Sequence, residues 1–480
     1  MQTDSQSPWY VGITRYQWLV LLLASLGWVF DVFEGQIFVA SMNKAMPALA
    51  PLETKAIHDL YNNIAFAAFL MGGAIGGVLF GMLSDRIGRK RVMTYTILMY
   101  SVFTALSALS QNWWQMVIFR FFVAMGVGGE WAVASTLVAE VFPKRARAWS
   151  QSIFHASSVL GTYLAVLAGV LFVAHETLIV GVPGTDLWWQ VAGWRVGFAL
   201  GVVPSLLIIW IRLKLIEPEV WVKSREQAAT DSLLPRDAIQ AEAPPTDAIQ
   251  TEAPPLPSGP RLSQAEINRR LALGIALAAV GLATFWGVHI YGKDAFANAY
   301  KASLIPPGTE QAQAKQILEE NSTRISRFEM LGLFLVTSGG GLGLVLFGWI
   351  SESIGRRGAF VFYHIGGLAT SLILFLGTWW TPWPLAFFLP VFGFLTLGMH
   401  AGYAVYFPEL FPTRMRGTGG GFCFNGGRLL AAPILVIRGL LPTYAGITRE
   451  QAAAVLSSLF LVGVFLSLLA PETRGKELPE

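Results

Sequence analysis

The 480-residue chain is 54% hydrophobic and 13% charged, with a mean hydropathy of +0.53, far more apolar than one soluble core requires. Its formal charge of +4 could suit an anionic partner such as nucleic acid, but the basic residues sit in short loops between apolar runs, which argues against that partner. A single cysteine, Cys423, excludes an intrachain disulfide.

A transmembrane helix needs about 20 mostly apolar residues. Segments of that kind fall near 17–40, 60–83, 92–110, 113–138, 150–174 and 192–215, and again near 270–290, 326–350, 358–379, 383–407, 417–440 and 448–470. The polar start MQTDSQSPWY carries no basic region and no small-residue cleavage site, so the first span is expected to be retained. Alternate loops are basic: Arg86, Arg89, Lys90 and Arg91, then Lys144, Arg145 and Arg147, then Arg356 and Arg357, then Arg414 and Arg416. The intervening loops SQNWW and GTWWTPWP have no Lys or Arg. Basic loops stay on the cytoplasmic side. Both termini and the middle connection are therefore expected in the cytoplasm of a multi-pass protein of the cell's inner or plasma membrane.

Between the two sets of spans, DAIQAEAPPT is followed by DAIQTEAPPL, a proline-rich repeat expected to form a flexible or partly extended tether. The expected organisation is a six-helix bundle over 1–215, a cytoplasmic linker over 216–268 and a second six-helix bundle over 269–480. The loop near 291–325 should lie outside and hold a short helix in TEQAQAKQILEENS. The halves repeat each other in order: GMLSDRIGRKR at 81–91 returns as GWISESIGRRG at 348–358, and EVFPKRAR at 140–147 as ELFPTRMR at 409–416. A six-helix unit occurring twice in parallel orientation is a layout of carriers that bind substrate between the halves, near the bilayer midplane.

On these residues the chain resembles the major facilitator superfamily. The signature Gly-x-x-x-Asp-Arg-x-Gly-Arg-Lys-Arg is met by Gly81, Asp85, Arg86, Gly88, Arg89, Lys90 and Arg91. Glu140 with Arg147, and Glu409 with Arg416, match the Glu-x6-Arg pattern of the sugar-porter-like members. PETRG at 471–475 is similar to their ending, and EPEVW at 217–221 is a fainter echo of it. The resemblance implies an all-α membrane protein of twelve transmembrane helices in two pseudo-symmetric bundles. Physically, carboxylates at helix ends facing arginines of the other bundle form a latch, because a guanidinium can hold a carboxylate through two bonds. Gly81, Asp85, Arg86, Gly88, Arg89, Glu140, Arg147, Glu352, Arg356, Glu409 and Arg416 form the expected cytoplasmic gate; Lys90, Arg91 and Lys144 are expected only to set topology.

Within the membrane, ionised groups are costly and usually functional. Asp31 and Glu34 lie three positions apart, hence on one face of the first helix, and are expected to form the proton-carrying site, with Glu34 as the carrier and Arg120 as the partner that tunes it. The first helix resembles that of organic-acid, nicotinate and sialic-acid type symporters, with Val32 and Glu34 departing from their Asp-Gly-x-Asp. Arg428, preceded by Asn425 in GGGFCFNGGRLLAAP, is expected to meet a substrate carboxylate, with Glu130 as an alternative fixed partner. His155 and His289 could bind substrate or relay protons.

The expected function is proton-coupled symport of a small organic anion by alternating access. The alternatives are a sugar symporter or facilitator, an exporter, or a transporter-like nutrient sensor. Sugar binding favours amide side chains that both donate and accept, whereas this chain offers charges. Nothing reads as an enzyme: the glycine-rich runs MGGAIGG and SGGGLGL lie inside apolar helices. No metal-ligand spacing is present, and no cofactor is implied. The partners are the substrate, protons and the lipid bilayer, with one chain as the working unit.

Overall fold

A computed structural model describes residues 8–173, 175–181, 188–233, 262–377 and 381–479. Helix α1 (Arg15–Leu49) starts with a capping box: Gln17 N donates to the Thr14 hydroxyl at 3.2 Å, and Thr14 N to the Gln17 side chain at 2.9 Å. Two backbone donors that a helix start leaves unpaired are thereby satisfied. Next come α2 (Lys55–Ile87), α3 (Arg89–Ala108) and α4 (Trp113–Val141). The fifth span joins α5 (Lys144–Ala156), α6 (Ser158–Ala168) and a π-helical turn at Gly169–Val173, and the sixth is divided into α7 (Gly193–Ala199) and α8 (Ser205–Lys214).

After α9 (Glu219–Leu233), the second half opens with α10 (Gln264–Thr284), which passes through a π-helical turn at Phe285–His289 into α11 (Tyr291–Leu304). The short helix expected outside is α12 (Gln311–Glu320). Then α13 (Ser322–Leu376) carries two spans, separated where Gly355 takes φ 85°. The tenth span is α14 (Pro382–Leu397) with α15 (His400–Leu410), the eleventh α16 (Arg416–Ala445), and the twelfth α17 (Arg449–Leu456) with α18 (Leu459–Leu469).

Two details depart from expectation. An antiparallel hairpin, β1 (Thr177–Gly181) with β2 (Trp188–Ala192), interrupts the otherwise helical chain between the fifth and sixth spans. Its β-branched and Trp residues suit a pleated surface better than a helix. The connecting segment is also not all tether: α9 occupies its first part, α10 begins at Gln264 with Glu266 N donating to Ser263 Oγ at 3.2 Å, and the tandem repeat lies outside the described residues.

Eight helical stretches among the described residues are long and apolar enough to cross a membrane, one of them, Arg327–Leu376, holding two spans. The others are the basic-ended α3, the broken α7 and α8, and α16 with its arginines and glycines. Large apolar side chains such as Leu22, Leu206 and Phe387 point outward, as a lipid-facing surface requires. The two bundles meet where α2 lies along α16. A Cβ on Gly81 would stand 2.6 Å from the Gly417 carbonyl, so the helices touch backbone to backbone there.

Candidate functional site

The end of the molecule that carries the described terminal segments is shut by charges crossing the seam. Arg89 donates to both Glu140 oxygens, at 3.1 and 3.0 Å, and to the Ser84 carbonyl at 2.7 Å. From the other bundle Arg416 Nη1 donates to the same Glu140 at 2.8 Å, while Arg89 reaches across to the Thr413 carbonyl at 3.2 Å. Asp85 also crosses: its carboxylate accepts from Gly417 N at 3.1 Å, Thr418 N at 2.8 Å and the Thr418 hydroxyl at 2.7 Å. Gly88, at φ 106°, makes the turn that brings Arg89 to this point.

The second copy of the motif stays within its own bundle. Arg356 holds Glu409 through two bonds, at 3.1 and 3.0 Å, and pairs with Glu352 at 3.0 Å. The Thr473 hydroxyl occupies Glu409 at 2.5 Å, as the Arg416 guanidinium occupies Glu140. Arg147, the pseudo-symmetric counterpart of Arg416, instead donates to the Ala139 carbonyl at 3.1 Å and forms no ion pair among the described residues. Arg86 is exposed and outside the network, against expectation, because its side chain leaves α2 on the solvent side.

Within the membrane, Arg120 separates the acidic pair of α1. It forms an ion pair with Glu34, donates to Ser107 Oγ at 2.7 Å, and lies between Phe198 and Phe38, with its Cζ 4.7 and 5.4 Å from their ring centroids. All four partners belong to the first bundle, so this is an internal clamp and not a contact across the seam. Glu34 is consequently the compensated acid. Asp31 is 2% exposed, and neither carboxylate oxygen meets a hydrogen-bond donor among the described residues.

The charged neighbours of Asp31 are Glu130, Arg428 and Glu34. Glu130 accepts from the Thr96 hydroxyl at 2.7 Å, and its other oxygen abuts α1 one turn before Asp31, where a Cβ on Gly27 would stand 2.6 Å from it. Arg428 donates to Asn425 Oδ1 at 3.2 Å, and its Cζ lies 4.8 Å from the Phe424 ring centroid. The Asn425 amide rests on Gly77 of α2, and a Cβ on Gly73 would stand 3.2 Å from an Arg428 nitrogen. Asp31, Glu130 and Arg428 thus form one group where the bundles meet.

The two histidines are committed elsewhere. Trp131 Nε1 donates to His155 Nδ1 at 3.3 Å; an indole N–H can only donate, so Nδ1 accepts. His289 Nδ1 bonds Thr396 Oγ1 at 2.7 Å, and that hydroxyl in turn donates to the Phe392 carbonyl. Sequence reasoning passed over Ser107, Thr96 and Thr418, the hydroxyls that serve Arg120, Glu130 and Asp85. It also passed over Tyr100, whose buried hydroxyl has no hydrogen-bond partner among the described residues and stands among the charges of Asp31, Glu130 and Glu34. A polar residue on a mostly apolar helix face was the only available signal for each.

Two bundles of six helices, a sealed charge network at one end and a buried ionisable group along the seam define a membrane transporter. The sequence profile of the Major Facilitator Superfamily matches residues 33–435, and the chain belongs to that family. It is 28% identical over 407 residues to the cis,cis-muconate transport protein of Acinetobacter baylyi, covering 84% of each chain. To the sialic acid transporter NanX of Escherichia coli K12 it is 26% identical over 486 residues, covering 98% of this chain and 97% of that one. Among solved structures, the proton:xylose symporter XylE bound to 6-bromo-6-deoxy-D-glucose superposes with a TM-score of 0.67 at 16% identity, covering 96% of this chain and 98% of that one. The chain is thus a multi-pass membrane transporter of small molecules, and not an enzyme.

Proposed function

We propose that the chain is a proton-coupled symporter of a small organic anion, working as a single chain with the sealed, termini-bearing end in the cytoplasm of an inner or plasma membrane. The first bundle ends near residue 215 and the second begins near 269, with 216–268 connecting them. The observation that carries the reading is Asp31, a buried carboxylate with no donor among the described residues, beside Glu130 and facing the charge of Arg428.

That arrangement links proton and anion by charge balance. With Asp31 ionised, its charge offsets that of Arg428, and an incoming anion must compete with it. A proton on Asp31 frees the guanidinium, which a substrate carboxylate can then neutralise. The empty and the fully loaded site carry the same net charge, so either can cross a low-dielectric barrier, whereas a half-loaded site leaves an uncompensated charge. Linkage requires each ligand to strengthen the other's binding equally. Arg428 and Asn425 hold the anion, Asp31 with Glu130 takes the proton, and Glu34 with Arg120 is the scaffold on which Asp31 is mounted. Glu140, Arg89, Arg416 and Asp85 close the cytoplasmic side, supported by Glu352, Arg356, Glu409 and Arg147.

The names of the muconate and sialic acid relatives, both carriers of carboxylates, support an anion over a sugar. The test is uptake into proteoliposomes under an imposed inward proton gradient, with labelled monocarboxylates, aromatic acids, sialic acid and hexoses. Uphill accumulation of an acid, lost in Asp31→Asn, is expected. Gradient-independent movement of hexoses alone would overturn the reading.

A further inference from the structure

Just below the anion site, two aromatic rings from opposite bundles lie face to face. Trp131 of α4 and Phe424 of α16 have ring centroids 4.0 Å apart and planes inclined by 19°. They are 1% and 3% exposed. At roughly 1.5 Å of rise per residue, Phe424 stands about 12 Å along α16 from Arg416 and about 6 Å short of Arg428. The stack therefore separates the sealed end from the anion site.

Each ring is held by its own bundle. Trp131 is anchored through its indole N–H to His155, whose carbonyl accepts from Trp28 Nε1 at 3.2 Å, tying α4, α5 and α1 together. Phe424 sits between Trp131 and the Arg428 guanidinium, with Tyr403 tilted against it at 6.3 Å between centroids. The indole thus moves with the first bundle, and the phenyl ring moves with the second, together with the cation that holds the anion.

We propose that Trp131 and Phe424 form an aromatic plug beneath the anion site, and that the transported anion is a planar, conjugated carboxylate whose flat body slots between the two rings when they part. The proposal rests on the organic-anion reading above and narrows it. Opening toward the sealed end must part α4 from α16 and pull the rings apart, leaving two aromatic faces without a partner. A saturated, puckered body cannot restore face-to-face contact with both. A flat π system inserted between them can, because stacked rings prefer offset, near-parallel approach. Its carboxylate then lies beside the guanidinium already positioned over the same Phe424 ring. The plug would favour the flat substrates among this family's carboxylates over puckered sugar acids.

The test uses two pairs of acids matched in carbon count and charge but differing in flatness: benzoate with cyclohexanecarboxylate, and cis,cis-muconate with adipate. Proteoliposome uptake of each is measured under an inward proton gradient for the full chain, Phe424→Leu and Phe424→Tyr, with a melting curve for each variant. The wild type is expected to take up the flat member of a pair at least tenfold faster. Phe424→Leu should bring the two members within about twofold while uptake still needs the gradient, and Phe424→Tyr should keep the preference. If Phe424→Leu does not fold, loss of the preference in a folded Phe424→Tyr overturns the proposal, as does equal uptake of both members by the wild type. Equal uptake would leave the organic-anion reading standing. Failure to accumulate any of the four acids overturns the plug, and the organic-anion reading is then decided by the other monocarboxylates and sialic acid of the wider panel.

Discussion

Glu217 and Glu472 do the same work at matching points of the two halves. Glu217 accepts from the backbone of Arg89 at 2.7 Å and of Lys90 at 3.3 Å, and Glu472 from the backbone of Arg356 at 3.0 Å and of Arg357 at 3.1 Å. Each carboxylate caps the helix that begins after a positive-φ glycine, Gly88 or Gly355. A negative charge is favourable at a helix start. EPEVW and PETRG are therefore the two caps of one repeated device, which also orients Arg89 and Arg356 toward their glutamates.

Glu472 makes the sealed end sensitive to acid. Partial burial works against its charge, but the backbone N–H groups of Arg474, Arg356 and Arg357, with the charge of Arg356, outweigh that and hold it below the ordinary 4.5. A group lowered on folding contributes stability that is complete above its unfolded value and lost as pH falls through the folded one. Wild type is therefore expected to melt higher than Glu472→Gln at pH 7, by about 0.5–1 kcal/mol in stability once solvent screening of this half-exposed group is counted. The gap should close below pH 4.5, which melting curves of both proteins in detergent from pH 7 to pH 3 will show. A gap at pH 3 as wide as at pH 7 would contradict the charge argument.

Of the two possible glutamate–arginine bridges between the bundles, the described residues make one, through Arg416, and it joins the Asp85 and Arg89 contacts in the lock. Arg416→Gln removes the cross-bundle bond while leaving Arg89 on Glu140. Losing one charged hydrogen bond shifts the balance toward opening by about 1.5–3 kcal/mol, or roughly tenfold to a hundredfold in population. Ser135, whose hydroxyl donates to the Ala404 carbonyl across the seam at 3.3 Å, reports on it. In a Cys423→Ser background, a cysteine at Ser135 should be alkylated at least tenfold faster once Arg416→Gln is added. Arg86→Gln, a change at an exposed side chain, should not alter the rate.

The charge network at the sealed end was legible because its residues recur: charges at helix ends in two copies have few possible partners, and the repeat supplies the register. Which cross-pair forms was not legible, since it depends on Thr473 folding back to occupy Glu409. The same limit applies to Arg120. Asp31 and Glu34 are separated by only about 4.5 Å of helix rise, and the choice between them is made by Ser107 on α3 and Phe198 on α7, with Phe38 one turn further along α1. Helix α9 was hidden by its neighbours: Trp221 Nε1 donates to the Asp85 carbonyl at 3.0 Å, a contact that composition does not reveal.

The glycines of the seam differ in what they permit. A methyl group on Gly77 would overlap the Asn425 amide and displace the residue that orients Arg428, while one on Gly420 meets nothing within 4 Å. Gly77→Ala should lower uptake by at least tenfold without preventing folding, because α2 can shift but Arg428 then loses its position. Gly420→Ala, within helical α16, should leave uptake intact and raise stability by up to about 1 kcal/mol. Initial uptake rates and melting curves of the two variants, measured side by side, distinguish a packing role from a general intolerance of alanine.

The two acids of α1 should fail in opposite ways when neutralised. Glu34→Gln leaves the Arg120 guanidinium, fully buried between two phenyl rings, without its counter-charge. Removing one partner of a buried pair costs about 3–5 kcal/mol, so low yield and a lowered melting point are expected, with residual uptake still following the proton gradient. Asp31→Asn removes a carboxylate that accepts no hydrogen bond among the described residues, so the fold should survive. The same change should abolish uphill accumulation while counterflow exchange of substrate persists, because the anion still meets Arg428 but no proton is carried. Parallel accumulation and exchange assays, with melting curves for both variants, decide the matter. Gradient-driven accumulation in Asp31→Asn together with its loss in a well-folded Glu34→Gln would reverse the assignment and return the carrier to Glu34.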